Sequence, residues 1–233
     1  MFVIEIAKVK IQINNRYPYL KKLCEDYIID STTYDFSVSV SEDEIENEKK
    51  QTNEHFTDGY FEGICVYRKI CKEILKYDCF LMHACTIKID DYAYLFLAKS
   101  GTGKTTHCRL LKEYLQDRVS YINGDKPIIR IIDGIPYAFG TPWNGKERYG
   151  SNTSAKIKAL IFIKRDENNS ITPLSKDELL DKVIHQILIP TTTEEVTKTF
   201  DLLNITLDKT KQYLLKCNMD ISAAICSYNA ITK

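Results

Sequence analysis

The sequence predicts an α/β protein: a mixed β-sheet core carrying a small β-rich N-terminal appendage. Three observations support this. Tyr92 to Leu97 is an apolar strand-like run that enters a glycine-bearing loop at 98–104, and Thr105 to Gln116 then places Leu110, Leu111, Tyr114 and Leu115 on one helical face. From residue 59 onward, apolar runs of strand length alternate with stretches of helical spacing. The first forty or so residues instead show the period of strands and end in an acidic polar stretch, so residues 1–58 are read as an appendage and connector and 59–233 as the main domain.

Along the chain, Phe2 to Ile13 alternates Val3, Ile4, Ile6, Val9, Ile11 and Ile13 against Glu5, Lys8, Lys10 and Gln12, as a half-buried strand does. Tyr34 to Val40 alternates again. Ser41 to Asp58 has almost nothing to bury and is expected to be a solvated connector. Gly59 to Lys76 sets Phe61, Ile64, Tyr67, Ile70, Cys71, Ile74 and Leu75 at helical spacing. Phe80 to Ile89 reads as one strand, turned by Asp90-Asp91 into Tyr92 to Ala98. Val119 to Asn123 is a short strand ending at Gly124-Asp125. Asp133-Gly134 between two apolar runs is a hairpin turn signal. Gly140 to Ser154 is a loop, and Ile157 to Ile163 suits a central strand. Ser175 and Glu178 form a capping-box pattern at the head of a helix reaching Ile189. Thr193 to Lys216 is expected to be helical, as is Ile221 to Tyr228.

Composition narrows the function classes. The chain has 233 residues, 44% hydrophobic and 27% charged, with 32 basic and 32 acidic side chains and a formal charge of +0. Without a basic excess, nucleic acid is not an expected partner. Met1 to Lys10 lacks a signal-peptide pattern and the apolar run at Tyr92 to Ala98 is too short to span a bilayer, so a cytoplasmic protein without membrane contact is expected. The 8 cysteines show neither C-x-x-C pairs nor histidines at ligand spacing, which reads as reduced, mostly buried thiols.

The segment Ala98-Lys99-Ser100-Gly101-Thr102-Gly103-Lys104-Thr105-Thr106 points to chemistry. Glycines at 101 and 103 let successive N–H groups turn toward one anion, Lys104 is placed to reach phosphate, and Thr105 can offer its hydroxyl to Mg²⁺ at a helix start whose dipole favours anions. Alanine stands at 98 where the strict pattern has glycine. The acid for the metal is expected at the end of a neighbouring strand, where Asp125 stands.

With His83-Ala84 in L-M-H-A-C-T-I, then A-Y-L-F-L-A-K-S-G-T-G-K-T-T-H, then Y-I-N-G-D-K-P, the chain resembles the HPr kinase/phosphorylase catalytic domain, of the phosphate-loop superfamily that includes phosphoenolpyruvate carboxykinase. The resemblance covers about residues 60 to 165 and does not extend to the N-terminal 58. It implies a mixed-sheet phosphate-loop core of that type, with ATP or GTP and Mg²⁺ held by Ser100, Gly101, Thr102, Gly103, Lys104, Thr105 and Thr106. It also implies an active-site carboxylate at Asp125, a histidine near the transferred phosphate at His83, and a homo-oligomer. Where the family has two adjacent acids this chain has Gly124-Asp125. Either Asp125 and His83 divide the work of metal contact and proton abstraction, or nucleotide is bound without efficient transfer.

Other residues stand as alternatives. Lys146, in T-P-W-N-G-K-E-R, is a candidate for neutralising charge on a moving phosphoryl group or a solvated loop lysine, and Arg148 is a weaker version of the same idea. Trp143 could stack on a ligand or pack the loop. His107 and Arg109 read as structural, and His55 and His185 carry no motif. The leading expectation is a kinase that phosphorylates a hydroxyl, by resemblance a serine of a small protein or peptide. The alternatives are a nucleotide-responsive binding module and a kinase of a small metabolite.

Overall fold

The computed structural model describes residues 1–232, apart from the side chains of residues 176 and 177, and shows a mixed α/β fold built on two sheets. The smaller sheet begins with β1 (Phe2–Ile6) and β2 (Val9–Asn14), which pair antiparallel, so the alternating run at the N-terminus is a hairpin and not one strand. Its turn is Ala7-Lys8, both at positive φ (52° and 60°), a backbone that neither side chain signals. After helix α1 (Pro18–Leu23), β3 (Ile28–Ile29) adds beside β1, and β4 (Phe36–Ser39) lies parallel to β2.

The acidic connector is also corrected. Glu42–Lys49 forms helix α2, started by a reciprocal capping box between Ser41 and Glu44 and anchored by the buried Ile45. Helix α3 (Asp58–Glu73) follows. Ile4, Ile11, Leu20 and Ile45 share one core with Phe61, Val66 and Ile70 of α3. The buried Glu62 carboxylate reinforces that seam by accepting the N–H groups of Arg16 (2.5 Å) and Tyr17 (3.1 Å).

The larger sheet contains β5 (Cys79–Leu81), β6 (Cys85–Ile89), β7 (Tyr92–Leu97), β8 (Val119–Asn123), β9 (Ile128–Ile132), β10 (Ile135–Phe139), β11 (Ser154–Arg165), β12 (Ser170–Pro173) and β13 (Lys211–Cys217). Its order is β5-β9-β10-β11-β7-β6-β8, with β13 parallel to the C-terminal part of β11 and β12 beyond it. The hairpin at Asp133-Gly134 and the central place of β11 are as the sequence predicts. Two expectations fail. The apolar run from Phe80 to Ile89 is broken at Met82-His83-Ala84, because β5 pairs with β9 while β6 joins β7 and β8 across the sheet. The helix expected over Thr193 to Lys216 stops at Asp208, and K-Q-Y-L-L-K-C extends against β11, where Leu215 and Cys217 are buried.

Helices cover both faces of the large sheet. On one face α5 (Lys176–Val183) and α6 (Thr193–Asp208) bury Leu179, Val183, Leu202 and Leu203 against Leu95, Leu160 and Phe162. On the other, α4 (Lys104–Leu115) and α7 (Ile221–Ile231) bury Cys108, Leu111, Ala223 and Ala224 against Ile87, Phe96 and Ile161. No described helix is long and apolar enough to cross a membrane.

Candidate active site

Strand direction brings the candidate residues together. Both β7 and β8 run antiparallel to β6, and β7 is parallel to β11. The C-terminal ends of β7, β8 and β11 therefore share one sheet edge with the start of β6. That edge carries the glycine loop after Leu97, Gly124-Asp125 after Asn123, Arg165 at the end of β11 and His83-Ala84 before Cys85.

The loop from Ala98 to Gly103 turns at Gly101 (φ 78°) and Gly103 (φ 122°) into the first residue of α4, and a Cβ at either glycine would meet nothing within 4 Å. Positive φ makes glycine necessary here, because the surroundings leave room for a side chain. Arg165 fixes the loop from outside: its Nε donates to the Thr102 carbonyl (3.0 Å) and its Nη2 to that of Gly101. The Gly103 N–H, on the far side of the peptide plane whose carbonyl Arg165 takes, faces the other way. Lys104 is 7% exposed, and its Nζ donates to the Ala98 carbonyl (2.9 Å). Burial pushes its ammonium below the usual lysine value, against the opposing pull of Asp125. Ser100 and Gly101 are exposed, and Thr102, Thr105 and Thr106 are half-buried.

Asp125 stands across from the loop with both carboxylate oxygens engaged. Oδ1 lies 2.9 Å from His83 Nε2, and Oδ2 pairs with the Lys126 ammonium. Burial alone would raise the Asp125 carboxyl, but the His83 hydrogen bond and the Lys126 charge outweigh it and hold the group well below the usual carboxylate range. The main chain here is fixed by the fully buried Asn123, whose Oδ1 accepts the N–H groups of Asp125 (2.8 Å) and Lys126 (2.6 Å). Asn123 Nδ2 in turn donates to Thr141 Oγ1 (2.9 Å). The Lys126 carbonyl accepts from Tyr67 (2.7 Å) and Thr141 (2.9 Å). His83 is held through its backbone: its N–H donates to the Gln186 carbonyl (2.6 Å), and Ala84 N–H to that of Asp125 (3.0 Å). With its nitrogen facing them, the buried Gln186 amide donates to the carbonyls of His83 and Ala98 (3.2 Å each), tying the histidine to the start of the loop.

Gly124 has no room for a side chain. A Cβ there would lie 2.7 Å from the Asn144 carbonyl oxygen and 3.0 Å from that of Tyr149, so main chain of the 140–153 loop closes over this position. The same loop brings Gly145 (φ 88°) against Asp125, where an added Cβ would come within 3.2 Å of the Asp125 Cβ. Lys146, next in sequence, is exposed, and its ammonium forms no hydrogen bond or ion pair among the described residues. Trp143 packs the loop: it stacks on Tyr67 (4.2 Å between centroids, 11° between planes) and donates Nε1–H to the Gly63 carbonyl (2.9 Å). His107 is buried beneath α7 with Nε2 2.9 Å from Ser227 Oγ, and desolvation lowers its imidazole to about 4. Arg109, His55 and His185 are exposed.

Sequence reasoning missed Asn123, Lys126, Thr141 and Gln186. Asn123 and Lys126 flank Asp125 in a turn-prone tetrapeptide, which is a weak local signal; Thr141 and Gln186 have none. Among the described residues no three His, Cys, Asp or Glu side chains converge to hold a metal. The oxygen donors that do occur, Thr105 and Asp125, suit Mg²⁺, which takes one or two protein oxygens and completes its shell with phosphate and water. No family model matches the chain, and no curated protein does. Among solved structures, an HPr(Ser) kinase/phosphatase from Coxiella burnetii is similar at 12% sequence identity and a TM-score of 0.38, covering 64% of this chain and 88% of that one. At that distance the match carries no argument for fold family or activity.

Proposed function

We propose that this protein is a nucleotide-dependent phosphotransferase built on a phosphate-loop core, passing the γ-phosphate of ATP or GTP to a hydroxyl, with a serine of a small protein or peptide as the favoured acceptor. The observation that carries the reading is the His83–Asp125 pair, 2.9 Å apart, at the same sheet edge as a positive-φ glycine loop that opens α4. In this reading the loop amides of 100–106 and Lys104 bind the phosphates, and the N-terminus of α4 favours their charge. Thr105 and Asp125 would hold Mg²⁺, which supplies charge neutralisation at the phosphates when bound. Asp125, held ionised so far below neutrality, is a poor proton acceptor. By accepting from Nε2 it leaves Nδ1 as the basic nitrogen of His83, so His83 takes the acceptor's proton and Asp125 orients it. Lys146, exposed next to Gly145, is the candidate for neutralising charge on the moving phosphoryl group.

Titration calorimetry with ATP and GTP, each with Mg²⁺, tests the reading against Lys104→Ala. Binding by the wild type that the substitution abolishes is the expected result; a folded wild type that binds neither nucleotide overturns it. One observation favours a second reading, a nucleotide-responsive interaction module: main chain closes over Gly124, so no second carboxylate fits there. Release of γ-phosphate in the presence of serine peptides separates the two, since the module binds without turnover.

A further inference from the structure

The main chain of Lys126 is fixed from three directions while its side chain remains 44% exposed. Its N–H is held by Asn123 Oδ1 at the end of β8 (2.6 Å). Its carbonyl is held by Tyr67 of α3 (2.7 Å) and by Thr141 of the following loop (2.9 Å). Pro127 then restricts the next backbone angle. The ammonium meets Asp125 Oδ2, on the carboxylate whose other oxygen faces His83. The Lys104 ammonium feels the charges of both Asp125 and Lys126, so the two lysines share one field around Asp125.

No carboxylate fits at 124, where Asn144 and Tyr149 carbonyls stand 2.7 and 3.0 Å from the place of a Cβ. Two ammonium groups, those of Lys104 and Lys126, act on Asp125 from different elements, an arrangement suited to an oxyanion between them. Lys126 is 44% exposed and reaches Asp125 on a flexible stem, so its ammonium can exchange this pairing for a more highly charged partner. We propose that Lys126 is a second phosphate-binding cation, which swings from Asp125 to the terminal phosphate of a bound nucleoside triphosphate. This deepens the phosphotransferase reading and rests on it.

The test is the ratio of ATP to ADP affinity, measured by calorimetry with and without Mg²⁺ on wild type, Lys126→Met and Lys126→Arg. A charge-assisted contact to the terminal phosphate predicts that Lys126→Met weakens ATP by about tenfold or more. ADP binding stays near the wild-type value, and Lys126→Arg keeps the wild-type ratio. A residue that only holds Asp125 in place would shift both nucleotides together. If Lys126→Met leaves the ratio unchanged while Lys104→Ala still abolishes binding of both, the inference fails and the nucleotide site stands. If wild type binds neither nucleotide, both fail. Lys126→Gln, the same neutralisation with a shorter side chain, replaces Lys126→Met should that protein not fold.

Discussion

Giving position 124 a side chain is the sharpest perturbation of this site. Gly124 is buried and its backbone needs no positive φ, so space alone decides the outcome. In Gly124→Ala the new methyl would sit 2.7 Å from the Asn144 oxygen and 3.0 Å from the Tyr149 oxygen, both main-chain atoms that cannot rotate aside. Overpacking of this kind costs about 1–3 kcal/mol. For a chain of this size each kcal/mol lowers Tm by roughly 2–4 °C, so Gly124→Ala should melt about 2–12 °C below wild type. Gly124→Asp should lose more, because its carboxylate enters among carbonyl oxygens and beside the ionised Asp125. It should therefore add no phosphoryl transfer, although it restores the adjacent acids of the resembled family. Thermal melts followed by circular dichroism, with γ-phosphate release measured on the same samples, give both readouts. The reasoning is refuted if Gly124→Asp melts with wild type and gains Mg²⁺-dependent release, since the 140–153 loop would then yield freely.

Two further outcomes follow from buried polar groups. Burial keeps His107 neutral by lowering its imidazole from 6.5 to about 4, so the unfolded chain takes up a proton first as pH falls. Stability should be fully present above pH 6.5, decline between pH 6.5 and about 4 by about 3 kcal/mol, and level off below, with His107→Gln removing that slope in urea midpoints measured across pH. Gln186→Leu strips the amide that faces the His83 and Ala98 carbonyls; Ala98 keeps the Lys104 ammonium, but the His83 carbonyl loses its donor at a cost of about 1–3 kcal/mol, and nucleotide affinity should fall with it. A Gln186→Leu protein with wild-type Tm and wild-type nucleotide binding would show that the amide does not tie His83 to the loop.

What the sequence made legible was whatever is encoded locally. The glycine loop announces itself because positive φ at 101 and 103 demands glycine within a few residues of a strand and a helix. The Asp133-Gly134 hairpin is visible for the same reason, whereas the Ala7-Lys8 turn has equally positive φ and is invisible because neither residue advertises it. Helix α2 carried its capping box in plain view at Ser41 and Glu44, but a run with one buried residue, Ile45, looks solvated on average. Period alone could not divide Phe80 to Ile89, since β5 and β6 are equally apolar and only their partners differ. Strand β13 was misread because its neighbour β11, not its own pattern, makes Lys211–Cys217 extended. The site divides the same way. Lys104 and Asp125 follow from spacing, while Gln186 and Thr141 reach it through tertiary placement that no local pattern records.

The parallel pairing of β7 with β11 has a consequence for how the chain is made. The Ala93–Leu97 stretch of β7, wholly buried in the finished sheet, gains β6 at once, because β6 precedes it across a tight turn. Its other edge waits for Ser154–Arg165, and β11 in turn waits for Lys211–Cys217. A ribosome therefore extrudes the entire glycine loop well before the strand that covers it. Over that interval the nascent protein presents an apolar, unpaired edge, the kind of surface that chaperones bind and that templates aggregation. Fragments that stop short of residue 154 keep every residue of the loop and should still be insoluble, because the β7 edge they expose never gains β11.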